Sequence, residues 1–274
     1  MKLSISNLAW TPPQAATALR LLSELGVEGV EIAPTRIASW EALDGKSLRE
    51  ARRQVEDHGL RVSSLQAIFF GRNDALLLGG ETEFQAFLSH LARVADIAEA
   101  LGAGIMVFGA PRNRTRGALS EEAARFLGRE RLGRIDESLR GRDAVFAIEP
   151  VPEYYGGDFL TSARSVIDMV DLVGGDRVGV HLDTACVGLG GDDISDAIRS
   201  AGKRIRHFHA SEPDLAGFSD PRMPHRAAAE ALRQEGYDKW VAIEMRENAE
   251  ESLAGVEQAV RWVRNAYELG RDQR

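Results

Sequence analysis

The chain has 274 residues, a length that suits one large α/β barrel or two small domains. Its hydrophobic fraction of 44% is ample for a core, and its net charge of −8 argues against a dedicated nucleic-acid binder, which carries a basic surface. The single cysteine, Cys186, rules out an internal disulfide framework and suits a reducing cytoplasm, residues 1–10 lack the apolar core of a signal peptide, and no apolar run is long enough for a membrane span.

Taken in order, Leu3 to Ala9 alternates like a first strand. Thr11 is placed to cap a helix with Pro12 at its first position, running to about Leu25 and ended by Gly26. Gly29 to Ala33 is a second strand, Lys46 to His58 a helix closed by Gly59, and Arg61 to Ala67 a third strand. Glu83 to Leu101 is a strongly amphipathic helix ended by Gly102. A fully apolar fourth strand, Ile105 to Gly109, runs into a basic loop, and Ser120 to about Arg140 is helical with a break expected near Gly128 or Gly133. Ala144 to Pro150 is a fifth strand, Thr161 to Val173 a helix, and Arg177 to Thr184 a sixth strand. A short helix near Asp193 to Ala201 precedes the seventh strand, Arg204 to Ser211. His225 to Gly236 is helical, Lys239 to Met245 an eighth strand, and a last helix runs from about Glu250 to Leu269.

The strands are apolar runs rather than strict alternations, as expected when protein covers both faces. Eight strands alternating with helices indicate a parallel sheet, and in this length a single closed (β/α)8 barrel spanning residues 1–274. The alternative is an open doubly wound sheet, but no Gly-x-Gly-x-x-Gly follows the first strand.

In such a barrel the active site is built where the strands end. Glu31 lies in the second strand and Glu149 ends the fifth. His181 and Asp183 end the sixth, His207, His209 and Glu212 the seventh, and Glu244 and Arg246 the eighth. Alternation puts His207 and His209 on one side of their strand, as a metal site, a proton-transfer site or a pair of hydrogen-bonded core histidines would require. Four consecutive strands thus deliver ionisable groups to one end, and buried carboxylates in company repel. A divalent cation is the simplest counter-charge. The alternative is a salt-bridged ring, with Arg246, Arg206, Arg177 and Arg112 neutralising the acids.

Glu149, Asp183, His209 and Glu244 stand 34, 26 and 35 positions apart, with a His-x-His in the seventh strand and Gly236-Tyr237 before the eighth. In these features, and along essentially its whole length, the chain resembles the xylose isomerase-like TIM-barrel superfamily in its sugar-phosphate isomerase/epimerase branch, of which the ketose 3-epimerases are the best-defined members. The resemblance implies one divalent ion, Mn²⁺ or Mg²⁺ before Co²⁺ or catalytic Zn²⁺, held by Glu149, Asp183, His209 and Glu244. It implies that Glu149 and Glu244 flank a substrate carbon, one removing a proton and the other returning it, while the ion stabilises an enediolate. His207 then orients a ligand or only packs. The implied reaction is isomerisation or epimerisation of a sugar or sugar derivative. The same site also suits dehydration of a keto-sugar or keto-cyclitol, and a metal-free or non-catalytic sugar-binding barrel is a reading from another class. Homodimers are common among such relatives.

Three features depart from the 3-epimerase pattern, one being that the substrate-contacting arginine after strand seven has no clear counterpart, although Arg222 is nearby. Cys186 stands where those enzymes have a histidine three positions after the strand-six aspartate, and Tyr155 replaces their second glutamate. The same barrel hosts abasic-site endonucleases; Cys186, the lack of histidine in strands three and four, and the acidic charge speak against that reading and against a nucleic-acid partner. Around the core set, Arg112, Arg114 and Arg116 are placed to clamp a phosphate or carboxylate, or to lie in a solvated loop. Arg114, His181, Glu212, His225, Arg246 and Trp10 are the candidate substrate contacts, and Phe69-Phe70 joins Trp10 as a candidate apolar wall.

Overall fold

The computed structural model describes residues 1–247 and 252–270. Eight parallel strands close on themselves in chain order: β1 (Lys2–Ser6), β2 (Gly29–Ile32), β3 (Arg61–Leu65), β4 (Ile105–Phe108), β5 (Val145–Ile148), β6 (Val178–Asp183), β7 (Ile205–Ser211) and β8 (Trp240–Glu244), with β8 pairing back to β1. Closure leaves no free sheet edge. The helices between them are α1 (Ala15–Glu24), α2 (Gly45–Glu56), α3 (Glu81–Leu101), α4 (Glu121–Ser138), α5 (Ala163–Val173), α6 (Thr184–Leu189), α7 (Ile194–Ala201), α8 (His225–Gln234) and α9 (Ser252–Ala266). The start of the last helix near Glu250 lies outside the described residues. Among the described residues no helix is long and apolar enough to cross a membrane.

The stop signals act as expected. Gly26, Gly59 and Gly102 follow α1, α2 and α3 with φ of 70°, 73° and 77°, a region that other residues enter at a cost. Three elements differ from the sequence reading. The first strand ends at Ser6, and Asn7–Ala9 is a single 3-10 turn capped by the Ser6 hydroxyl. α4 is unbroken, and Gly128 sits inside it where Phe159 leaves no room for a Cβ. The sixth strand stops at Asp183, whose carboxylate accepts the amide of Cys186 and starts α6 at Thr184.

Outward-facing Leu3, Ile5, Val30 and Ile32 join the helices in an apolar layer. The barrel interior is different. Glu31 on β2 touches His207 and His209 on β7, a contact possible only across the bore. Ser4, Ser6, Ser64 and His181 are also fully buried. Small and hydrogen-bonding side chains therefore stand where barrels of this kind commonly hold bulky branched ones. Register shifts occur between Val30 and Glu31 and between Val180 and His181, so the irregularities sit beside these polar residues.

Candidate active site

The ends of β5 to β8 bring Glu149, Asp183, His209 and Glu244 together. Pairing sets Asp183 opposite His209 and Glu244 opposite Ser211. One ligand atom from each of the four lies within 4.8 Å of the others. His209 Nδ1 is 3.2 Å from Glu244 Oε2 and 3.7 Å from Asp183 Oδ2. Asp183 uses Oδ1 to cap α6, at 2.7 Å from the Cys186 amide, and its buried Oδ2 has no hydrogen-bond partner. The Cys186 thiol points at Glu149 Oε1, 3.4 Å away.

Glu149 is seated from three sides. Arg114 Nη2 donates to its main-chain carbonyl at 2.6 Å, and His181 Nε2 stands 3.9 Å from its carboxylate. On the third side is Gly109, just beyond β4, where a Cβ would collide with Glu149 Oε2. Gly109→Ala is therefore expected to displace the carboxylate while the barrel stays folded. Because a misplacement of about 1 Å can cost ~100-fold in rate, turnover should fall by more than tenfold with an unchanged circular dichroism spectrum. Unaltered turnover would show that this carboxylate needs no fixed position.

No lysine or arginine among the described residues pairs with the carboxylates of Glu149, Asp183 or Glu244; their ionic partners are histidines. The arginine ring is absent because its members lie elsewhere. Arg177 reaches the Arg142 carbonyl and Arg206 the Asp176 carbonyl, at the opposite end of the strands, while Arg246 and Arg112 are exposed. Burial, followed by the charges of Asp183 and Glu244, pushes Glu149 up to about 8. Burial also raises Glu244. Burial alone would lower His209, but Glu31 and Glu244 outweigh it and hold the ring charged well above its usual range. An unpartnered buried carboxylate oxygen, two carboxyls driven towards neutrality and one facing histidine form a donor set that a hard divalent cation fits.

These shifts carry a sign. Between about pH 6.5 and 8 the folded, metal-free chain holds protons on Glu149 and His209 that the unfolded chain has released, so stability falls as pH rises, by at most ~1.4 kcal/mol per pH unit for each group. Buried His181 and His207, whose pKa values are lowered chiefly by burial, act in the other direction only below about 6.5. The melting temperature of chelator-treated protein should therefore drop from pH 6.5 to 8, and Glu149→Gln should flatten the slope. A melting temperature that rises over this interval would contradict the electrostatics.

A cavity of about 620 Å³ opens onto Glu149, His209 and Glu244. Its far wall comes from residues 66–71 after β3 and 109–113 after β4, with Phe70 exposed at 68%. Arg112 lines it and pairs with no carboxylate among the described residues. The six candidate substrate contacts lie outside this lining. Arg114 is buried, committed to the Glu149 carbonyl, and lowered to about 10 by burial against the pull of Glu149. Arg116 turns its amide to Asp158. His181 is sealed beneath the cluster, its ring 4.1 Å from that of His209. Glu212 and His225 clasp each other at 2.8 Å, and His225 also meets the Tyr267 hydroxyl at 3.0 Å, tying the loop after β7 to the region beyond α9. Trp10 and Arg246 line two other cavities. The Tyr155 hydroxyl accepts the Asp214 amide at 2.8 Å.

Gly109 escaped the sequence reading, and Glu31 was placed in its strand without its partners. Gly109 carried a readable signal, a glycine ending an apolar strand at the active-site end. Glu31 was visible as an acid inside a strand, but its partners lie 176 and 178 positions away.

Fold and site together define a parallel β/α barrel whose mouth gathers acids and a histidine from consecutive strands. The chain belongs to the xylose isomerase-like TIM barrel family, which it matches over residues 19–266. The D-psicose 3-epimerase of Enterocloster bolteae is 31% identical over 113 residues, 41% of this chain and 37% of that protein. The D-psicose 3-epimerase of Agrobacterium fabrum is 25% identical over 228 residues, 81% of this chain and 76% of that protein. The matched part thus spans well under half the length of the first relative and about three quarters of the second. A crystal structure of D-psicose 3-epimerase in the presence of D-fructose has a TM-score of 0.80 and 19% identity, covering 97% of this chain and 99% of that one, a likeness of fold.

Proposed function

We propose that this chain is a divalent-metal-dependent isomerase or epimerase of a sugar or sugar derivative, its barrel acting as one catalytic domain in the cytoplasm. The observation that carries the reading is the meeting of three carboxylates and one histidine at the mouth, with an orphaned Asp183 oxygen and, among the described residues, no lysine or arginine paired with those carboxylates. Glu149, Asp183, His209 and Glu244 hold the ion, with Mn²⁺ or Mg²⁺ favoured over Co²⁺ or Zn²⁺ by the oxygen-rich set. When bound, the ion supplies the positive charge that polarises a substrate carbonyl and stabilises the enediolate formed next to it. Glu149 and Glu244 both face the cavity. One takes the proton from the carbon beside the carbonyl and the other delivers a proton to the opposite side. Asp183 and His209 hold rather than react, since the Asp183 carboxylate is also fixed as the cap of α6. Residues 66–71, with exposed Phe70, give the substrate an apolar wall, and Arg112 is the cation placed for an acidic substituent. The relatives' action on D-psicose places ketoses first among the substrates to test.

The test is incubation of Mn²⁺-loaded protein with ketohexoses, ketopentoses and their phosphates in D₂O. Deuterium beside the carbonyl, together with a new epimer or isomer, supports the proposal. A product lighter by one water selects the dehydratase reading, which uses the same cavity and acids. Bound metal without exchange on any of these compounds overturns the isomerase reading.

A further inference from the structure

We propose that Glu31, on the far side of the barrel from the ligand set, is a positioning residue that fixes which nitrogen His209 presents to the metal. The proposal rests on the metal-site reading above, but its central observation concerns the bore beneath that site. A neutral imidazole carries one proton and one lone pair, and only the bare nitrogen can bind a cation. His209 Nε2 lies 2.9 Å from Glu31 Oε1 and 3.1 Å from Oε2. An ionised carboxylate only accepts, so Nε2 must keep its proton. The lone pair then falls on Nδ1, the nitrogen that faces Asp183 and Glu244.

Glu31 is itself held. It is fully buried on β2, where the register shift after Val30 sets it opposite Ser64. The Ser64 hydroxyl donates to Oε2 at 2.7 Å, and His207 Nε2 donates to the same oxygen at 2.9 Å. Donors from β3 and from both histidines of β7 thus converge on one carboxylate, which gives the His-x-His an assignment for each member. His209 reaches up to the cluster, and His207 braces the acid that orients it. Glu31, His207 and His209 also form a compact trio of potential ligands. Their close approaches are hydrogen-bond lengths, and Ser64 adds a further donor to the acid, so the trio is a hydrogen-bonded support rather than a second ion site.

Two measurements on Glu31→Ala and Glu31→Gln test this. The first is proton-coupled nitrogen NMR of labelled histidine, on chelator-treated and on Mg²⁺-saturated protein. The wild type is expected to show a downfield Nε2 proton on His209 in both states and a proton-free Nδ1 in the Mg²⁺ state. Glu31→Ala should lose the downfield resonance, and Glu31→Gln should shift it upfield as the charged acceptor is replaced by a neutral one. The second is calorimetric titration of chelator-treated protein with Mn²⁺, where Glu31→Ala should weaken binding by about 10–100-fold and Glu31→Gln by less. An unchanged resonance and an affinity within about twofold of wild type, in whichever variant retains the wild-type circular dichroism spectrum, would overturn the assignment. If the wild type takes up no divalent ion, the proposed function fails, while the resonance in metal-free protein still decides whether Glu31 holds the Nε2 proton.

Discussion

Glu149→Gln and Glu244→Gln are each expected to lower epimerisation or isomerisation by about 10²–10⁴-fold, the range of a positioned acid or base. The amide keeps the size of the side chain and one oxygen donor but cannot take up a proton. If the two carboxylates act on opposite sides of one carbon, the variants differ in an informative way. Each should fail to convert one epimer into the other, yet each should still exchange with solvent the proton of the single epimer that faces its surviving carboxylate. Deuterium washout from the two epimers, followed separately by NMR, reads this directly. Loss of exchange from both epimers in either variant would make that residue a holder of the ion only, and full turnover in both variants would end the acid–base mechanism.

The second large effect concerns Asp183. Elemental analysis of the purified wild type should find about one divalent ion per chain, and Asp183→Ala should remove it. Because Oδ1 caps α6, alanine also removes a cap worth ~1 kcal/mol. Asp183→Asn separates the two roles, since its side-chain oxygen can still accept the Cys186 amide while the negative charge is gone. The asparagine variant should therefore keep a near-wild-type melting temperature without metal and lose most of the rise that Mn²⁺ produces in the wild type, a rise that follows from preferential binding to the folded state. An equal metal-induced rise in both proteins would place the ion elsewhere.

The barrel was legible because short, largely apolar strands alternate with helices that glycines close, and because ionisable residues recur at the same end of the repeat. Glu149, Asp183, His209 and Glu244 could be picked out for that reason: each ends or follows a strand core, so topology alone brings them to one mouth. The periphery was less legible. Arg112 and Arg114 are two positions apart in one loop, yet one lines the cavity and the other is buried under a carbonyl, a difference set by the single 3-10 turn from Arg112 to Arg114. His225 reads as a candidate substrate contact because its actual partners, Glu212 and Tyr267, come from both sides of it in sequence. Trp10 was assigned to the mouth from its place after β1, but the early end of that strand at Ser6 turns it towards the cavity beside α1 and α2.

The far wall of the cavity and the charged cluster come from different halves of the chain, residues 66–71 and 109–113 on one side and the ends of β5 to β8 on the other. At Gly109 the two halves meet with no room for a Cβ, which would collide with Glu149 Oε2. Mutational drift confined to residues 66–71 and 110–113 can therefore remodel which molecules are admitted while leaving the proton chemistry intact, whereas changes at Gly109, Arg114, Glu31 or Ser64 would reach the cluster. For a laboratory library this marks a natural partition: randomise 66–71 and 110–113, hold the second half constant, and selection then acts on substrate choice with little burden of lost catalysts.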